Sequence, residues 1–440
     1  TTNSWGLKGE KMEIPQELQG LSKRDLIRVI ISQGERIEEL EKRLLAYENA
    51  HTPPSQQRKY PKRESSGNQV GAPKGHEGTT RPAAEPNKFE FLKLDVCPNC
   101  NRQLGRPRTI HKRIIEDIPE PQSLIVTQFT IPHYFCSHCN AEVIPSHQGL
   151  PDEGILGPNL QAQIALMKYE DRLPHRKIAR TLNRQYGLQI TPATILDITR
   201  RVADKLQAVY GAIKEEVKKS GQVVADETGL KVQGKNFWLW TFVSLTSVLF
   251  LIRKSRGQEP IKEALGDYKG KVTCDGWTSY NQSVKIIQRC WAHLLREAKW
   301  YAEKYEGQAR IVHEWLCKLF KQIKSSLRKS KRLRENLYKN CIIKMQFFIA
   351  SCKVHKELRK FAVKIENGLE QWFTCLLYPK IDMTSNKAER ALREPVVQRK
   401  ISSLWNEKGI MIKETIMSVL ATWNLRGLNT YSMLKETLSS

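Results

Sequence analysis

The chain has 440 residues, room for about two to four domains, and its 72 lysines and arginines outnumber 46 aspartates and glutamates to give a formal net charge of +26. That balance points to a polyanionic partner, with nucleic acid ahead of an anionic membrane surface. No apolar run approaches the roughly 20 residues of a membrane span and Thr1 to Glu13 lacks the apolar core of a secretion signal, so no membrane association and a cytoplasmic, nucleoid-associated location are expected.

Residues 1–50 read as a leucine-zipper-like helix. Over 18–48, Leu26, Ile30, Ile37, Leu40, Leu44 and Tyr47 recur at three-, four- and seven-residue steps between charged residues. Such a stripe joins protomers as a short coiled coil; a helix packed on its own domain, with Gly34 weakening the stripe, is the alternative. Residues 51–90 are rich in Pro, Gly, Ser, Lys and Arg and read as a basic flexible linker.

Residues 91–150 read as a zinc-binding module. Cys97-Pro98-Asn99-Cys100 and Cys136-Ser137-His138-Cys139 lie 35 residues apart. Two such knuckles supply the four thiolates of a closed tetrahedral Zn2+ site, with His138 as a substitute ligand. A redox motif would need only one pair. Short strands are expected between the knuckles, Leu124 to Thr130 among them.

Residues 151–220 read as a helical DNA-binding region of helix-turn-helix type. Helices are expected at Gln161 to Tyr169 and His175 to Tyr186. Gly187 then permits a turn, and Thr191-Pro192 is an N-cap and first-turn pair for a third helix. That helix would present Thr194, Asp197 and Arg200 or Arg201 outward, so Arg200 and Arg201 are candidates for reading DNA sequence.

Residues 221–293 switch to strands, the first part of a core. Strands are expected at Gln222 to Asp226, Phe237 to Val243, Val248 to Ile252, Lys271 to Asp275 and Val284 to Cys290, with a helix at Glu259 to Leu265. Three strands, helix, strand, strand is the order of a ribonuclease-H-like α/β core. Residues 294–380 read as a basic helical insertion: between Cys317 and Lys364 there are fifteen Lys or Arg against two Glu. Arg328, Lys329, Lys331 and Arg332 are its candidates for gripping the DNA backbone, a solvated spacer being the alternative. Residues 381–440 return to the core with a glutamate-bearing helix and a C-terminal helical segment over 410–437.

Three acidic motifs carry the chemistry. Val223-Val224-Ala225-Asp226-Glu227-Thr228 and Val272-Thr273-Cys274-Asp275-Gly276-Trp277 each set an aspartate at the end of an apolar run, and Ser385-Asn386-Lys387-Ala388-Glu389-Arg390 sets a glutamate among helix formers. Two strand-borne aspartates and a helix-borne glutamate can converge on paired Mg2+ or Mn2+ ions, which stabilise the attacking and leaving oxygens of a phosphodiester displacement. Taken singly, each acid is more often a cap or turn residue. Glu227 should face away from Asp226 on a continuing strand. Asp382 competes with Glu389 and is placed to cap the following helix. His293, after Cys290-Trp291-Ala292, is a candidate contact for the scissile phosphate or a metal, or a structural histidine. Arg393 lies near the Glu389 face at helical spacing; it, Arg390, Arg399 and Lys400 are phosphate contacts or surface ion pairs.

With these motifs in their order, the chain resembles the transposases of the insertion-sequence sixty-six family, within the DDE superfamily. The resemblance covers nearly the whole chain: the N-terminal helix, Gly71-Ala72-Pro73-Lys74-Gly75-His76-Glu77-Gly78, the four knuckle cysteines, Lys168-Tyr169 with Leu173-Pro174, Ala225-Asp226-Glu227-Thr228, Asp275-Gly276-Trp277-Thr278-Ser279-Tyr280, Cys290-Trp291-Ala292-His293 and Asn386-Lys387-Ala388-Glu389-Arg390-Ala391-Leu392-Arg393. It departs where Thr384-Ser385-Asn386 stands for the Asp-Asn-Asn common in the family, and again after Arg399-Lys400. The resemblance implies that Asp226, Asp275 and Glu389 are the catalytic metal ligands. It implies hydrolysis at the element's ends, then attack of the freed 3′-hydroxyls on target DNA. The expected assembly is a homodimer or higher oligomer on DNA, with accessory proteins of the element as possible partners. Two rivals are a nuclease of the same fold without strand transfer and a catalytically dead zinc and helix-turn-helix regulator.

Overall fold

The structure is a computed structural model and describes residues 22–47, 85–117, 119–151, 153–305 and 307–439. The motif at 71–78 and most of the expected linker lie outside the described residues. The chain divides into two compact units, Thr1–His76 and Glu77–Ser440. Among the described residues no helix is long and apolar enough to cross a membrane.

In the first unit, helix α1 spans Lys23–Tyr47. Ser22 opens it, its hydroxyl bonding the Asp25 carboxylate at 2.6 Å and accepting from the Asp25 amide at 3.3 Å. Ile27, Ile30, Ile31, Ile37 and Leu40 are all exposed along it.

The described part of the second unit is irregular from residue 85 up to its first hairpin. Its first strands, β1 (Tyr134–Cys136) and β2 (Ala141–Val143), form a hairpin around the second knuckle, pairing Cys136 with Ala141. The strand expected at Leu124 to Thr130 is not formed. Ile125 and Val126 are 95% and 88% exposed. Their β propensity reflects fit to a half-buried pleated surface, and here no second strand supplies one.

Four helices follow: α2 (Pro158–Tyr169), α3 (His175–Tyr186), α4 (Pro192–Lys205) and α5 (Gln207–Lys219). Gly187 ends α3 at a positive φ of 68°, returning its amide to the Asn183 carbonyl. Thr191 caps α4 by accepting from the Thr194 amide at 3.2 Å. Ile178 and Leu182 of α3 face Ile195, Ile198 and Val202 of α4, all fully buried.

The sheet comprises β3 (Gln222–Val232), β4 (Lys235–Val243), β5 (Val248–Arg253), β6 (Lys271–Cys274) and β7 (Ile286–Arg289), with α6 (Glu259–Leu265) between β5 and β6. The order is β5-β4-β3-β6-β7. The β3–β4 and β4–β5 pairs are antiparallel and the β3–β6 and β6–β7 pairs parallel. Strand β3 runs past Asp226 to Val232 because Gln233 and Gly234, at φ 49° and 74°, make a two-residue hairpin that keeps β4 in register to the tip.

The chain then leaves the sheet for α7 (Trp291–Lys304), α8 (Gln308–Ser326), α9 (Lys331–Val354), α10 (Arg359–Glu366) and the short α11 (Thr374–Leu377). These pack around their own core, where Trp291, Leu316, Met345, Phe361, Trp372 and Phe373 are buried. It returns in α12 (Asn386–Ile401), α13 (Glu407–Leu425) and α14 (Thr430–Ser439).

Both edges of the sheet are occupied. On β5, the amides of Val248 and Phe250 donate to Thr422 Oγ1 and Ser418 Oγ at 3.0 and 2.9 Å, and the Ile252 amide donates to the Glu414 carboxylate. Four residues of helix advance about 6 Å and two residues of strand about 6.6 Å, so one face of α13 keeps step with alternate amides. On β7, Thr374 Oγ1 donates to the Ile287 carbonyl at 2.6 Å.

Candidate active site

Parallel pairing sets Gln222, Val223 and Val224 against Lys271, Val272 and Thr273. Asp226 and Asp275 each lie two residues beyond the last of these pairs. Asp226 therefore lies inside β3, opposite Thr241 of β4, and Asp275 directly follows the end of the neighbouring β6. The preceding Val223, Val224, Ala225, Val272, Thr273 and Cys274 are buried and fix the two strands at these positions.

Glu389 arrives from the first turn of α12, which lies against β3 and β4. A carboxylate is favoured there by the helix dipole. Ser385 anchors that turn: its amide and hydroxyl donate to Cys290 Sγ at 3.1 and 3.2 Å. Beside it, the α7 N-terminus brings His293, 13% exposed, to 3.6 Å from Glu389 Oε1. Ser385 Oγ stands 3.4 Å from His293 Nδ1. One turn on, Arg296 donates to both Glu389 oxygens at 3.2 and 3.3 Å. No sequence motif singles out Arg296; its one signal is its three-residue helical spacing from His293.

The acids at this end of the sheet feel one another. Burial first, then Glu227, Asp275 and Glu389, push the Asp226 carboxyl well above its ordinary range. Glu227, whose side chain is 1% exposed, is pushed up to about 7 by burial and Asp275, against the pull of Arg256. Arg256 donates to Glu227 Oε1 at 2.8 and 3.1 Å. Its guanidinium lies 3.9 Å from the Trp277 ring centre and 4.4 Å from that of Trp238, a sandwich suited to a delocalised cation. Sequence spacing gives no sign of Arg256, which reaches Glu227 across the sheet.

Among the described residues, no three histidine, cysteine, aspartate or glutamate side chains stand together to hold a metal ion. The acids are turned to protein partners instead. Asp226 Oδ1 accepts from the Glu227 amide at 3.1 Å and Asp275 Oδ1 from the Trp277 amide at 2.9 Å, and Glu389 faces Arg296. In chemistry the set still fits a hard divalent cation: oxygen donors whose mutual repulsion raises Asp226 are what such an ion would relieve.

Asp382 plays the part expected of neither a ligand nor a cap. Its carboxylate accepts from Gln222 Nε2 at 2.9 Å and Lys387 Nζ at 2.8 Å, and its carbonyl from Thr273 Oγ1 at 2.6 Å. It ties the approach to α12 onto β3 and β6, leaving Ser385 as the N-cap. Arg393 is exposed on α12. Arg399 donates to Thr228 Oγ1 at 3.0 Å and to the Gly229 carbonyl, fastening α12 to β3 just past Asp226.

Each cysteine knuckle is formed. Asn101 and Asn140, each directly after its second cysteine, take φ of 56° and 54°. Amides of Asn99 and Cys100 lower the Cys97 thiol, and the amide and thiol of Cys139 with the His138 amide lower Cys136. Among the described residues the structure does not gather Cys97, Cys100, Cys136 and Cys139 around one point. Of the two α4 arginines, Arg200 is the outward one, 43% exposed and paired with Asp197 and Asp204 at 3.0 and 2.9 Å. Arg201 is turned inward at 14% exposure, against Asp197 and the Glu153 carbonyl, because Gly154 leaves room for its guanidinium. Arg328, Lys329, Lys331 and Arg332 are all exposed where α8 passes into α9.

A model of the family described as "Transposase IS66 family" matches residues 153–411, from just before α2 into α13. No curated protein matches the chain.

Proposed function

Because the chain belongs to the IS66 family of transposases, we propose that it carries a ribonuclease-H-like core that cuts DNA at the ends of an insertion sequence and joins the freed 3′-hydroxyls to target DNA. Membership alone makes it a DNA-processing enzyme. The observation that carries the finer reading is the β3–β6 register, which sets Asp226 and Asp275 abreast while α12 delivers Glu389 to the same end of the sheet.

Asp226, Asp275 and Glu389 would hold the Mg2+ or Mn2+ ions, which when bound supply Lewis-acid activation of the attacking oxygen and charge relief at the leaving one. The strands hold the two aspartates rigidly, so little reorganisation remains for the reaction. Arg296 and His293 stand beside Glu389 at the positive end of α7, where they orient the scissile phosphate. The Glu227–Arg256–Trp277 cluster braces the loop after Asp275 from behind.

The test is incubation of the full chain with Mg2+ or Mn2+, DNA bearing the element's ends, and a target plasmid. Joined products support transposition. Cutting without joining gives the nuclease reading, and binding without cutting the regulatory one.

The knuckles are assigned a structural Zn2+. Metal analysis is expected to return about one zinc per chain. Cys97→Ser with Cys136→Ser should release it and expose residues 91–150 to protease; zinc kept in full by that double variant defeats the assignment.

Recognition is divided between α4, with Arg200 its outward cation, and the α8–α9 turn. Changing Arg328, Lys329, Lys331 and Arg332 to Gln is expected to weaken binding to all duplexes alike and to reduce the salt slope by about 0.9 for each phosphate no longer neutralised. An unchanged slope makes the turn a spacer. The exposed stripe of α1 is assigned to a coiled coil between protomers.

A further inference from the structure

Among the described residues, a group of buried cations lies beneath the helix that carries Glu389. Lys168 at the end of α2 and Lys413 in α13 are 8% and 4% exposed. Lys168 Nζ lies 3.4 Å from Ser402 Oγ at the C-cap of α12. Gln398 of α12 donates to the Lys168 carbonyl at 2.9 Å. Its Oε1 is buried with no hydrogen-bond partner among the described residues. Arg399, next along α12, adds a half-buried guanidinium that is fixed to β3.

No acid answers these cations. Glu414, beside Lys413 in sequence, is turned to β5 and Arg253. Glu394 lies 3.5 Å from Arg172, and Glu170 accepts from Asn424 and Thr430. Among the described residues none forms an ion pair with Lys168, Lys413 or Arg399. Burying like charges together without a counter-charge is expensive. Burial, then Lys168 and Arg399, pulls the Lys413 ammonium down to about 7. Burial and Lys168 pull His175 down to about 4. The C-terminal carbonyls of α2 and α12 offset part of the repulsion with their partial charges, but among the described residues no acid pairs with Lys413.

We propose that Lys168, Lys413, Arg399 and Ser402 form a recessed site for a phosphoryl oxyanion, at the junction of α2, α12 and α13. Three nitrogen donors and a hydroxyl on three elements can surround a tetrahedral anion as one surface lysine cannot. An anion there would hold α12, and with it Glu389, against β3. The phosphate comes either from a DNA backbone or from free solution. The first source rests on the DNA-processing reading above, the second does not.

The experiment titrates inorganic phosphate against the full-length chain, at ionic strength matched with chloride, and follows melting temperature. A saturable rise of about 2–4 °C is expected, from binding to the folded state only. Lys413→Met, which removes a buried unpaired charge and keeps the side-chain length, should melt no lower in chloride and lose that rise. Its duplex binding is then measured against salt. A slope reduced by about 0.9 assigns the site to a DNA phosphate; an unchanged slope assigns it to free phosphate. No rise in the unaltered chain, or an equal rise in Lys413→Met, overturns the proposal. Both outcomes are independent of whether Asp226 cuts DNA, so the site and the catalytic assignment fail separately.

Discussion

An Asp226→Asn chain is expected to bind end-bearing duplex within about twofold of the unaltered protein and to cut it at least on the order of 10³-fold more slowly, a loss of about 4 kcal/mol of transition-state stabilisation. Asp275→Asn and Glu389→Gln should behave alike, since each removes one anionic oxygen donor from a shared cation site and alters shape by a single atom. Asparagine at 226 also removes a buried carboxyl and its repulsion with Glu227, Asp275 and Glu389, so the variant should fold at least as stably as the parent. This separates loss of chemistry from loss of structure. Glu389→Gln is the sharpest of the three, because Arg296 then loses its ion pair and is free to bind phosphate. Cutting by that variant at near the parental rate would remove Glu389 from the site. Gel separation of cut and joined strands, with filter binding alongside, measures both quantities.

The second large effect concerns stability. Ser418→Ala with Thr422→Val removes the acceptors for the Phe250 and Val248 amides while leaving helix propensity and packing volume nearly unchanged. Each buried amide left without an acceptor costs about 1–3 kcal/mol, so the pair should lower unfolding free energy by about 4 kcal/mol. The urea midpoint should fall with little change in slope. A loss below about 1 kcal/mol would mean that the β5 amides find water or another partner, and that α13 is held by its apolar face alone.

Asp275 is legible because a buried strand is written as an apolar run and its exit as the first charge after it; the same rule ends β3 too early at Asp226, since pairing with β4 carries that strand on to Val232. The α4 start is legible for a similarly local reason: Thr191 caps and Pro192 suits the first turn. What stays hidden depends on partners remote in sequence. Asp382 has the look of a cap, yet Gln222, distant by 160 residues, takes its carboxylate. Glu227 is held by Arg256 and Tyr280, which no spacing rule connects to it. Leu124 to Thr130 has the composition of a strand and lacks a neighbour to pair with. The serine and threonine of α13 read as indifferent helix residues until β5 lies beside them. The knuckles are legible one by one as CxxC, whereas their meeting depends on the chain between them.

The excursion of the chain through α7 to α11 also sets an order of events during synthesis. Ser385 meets Cys290 across 95 residues, and every one of them must leave the ribosome before α12 can dock. By then the α2–α5 helices, the aspartate-bearing strands and the cationic α8–α9 turn have already emerged, since domains fold as they are made. A product cut short within the excursion would keep its grip on DNA and both aspartates but have no glutamate to place beside them. On the proposed function, such fragments would occupy element ends without breaking them, and unfinished chains would compete with the finished enzyme.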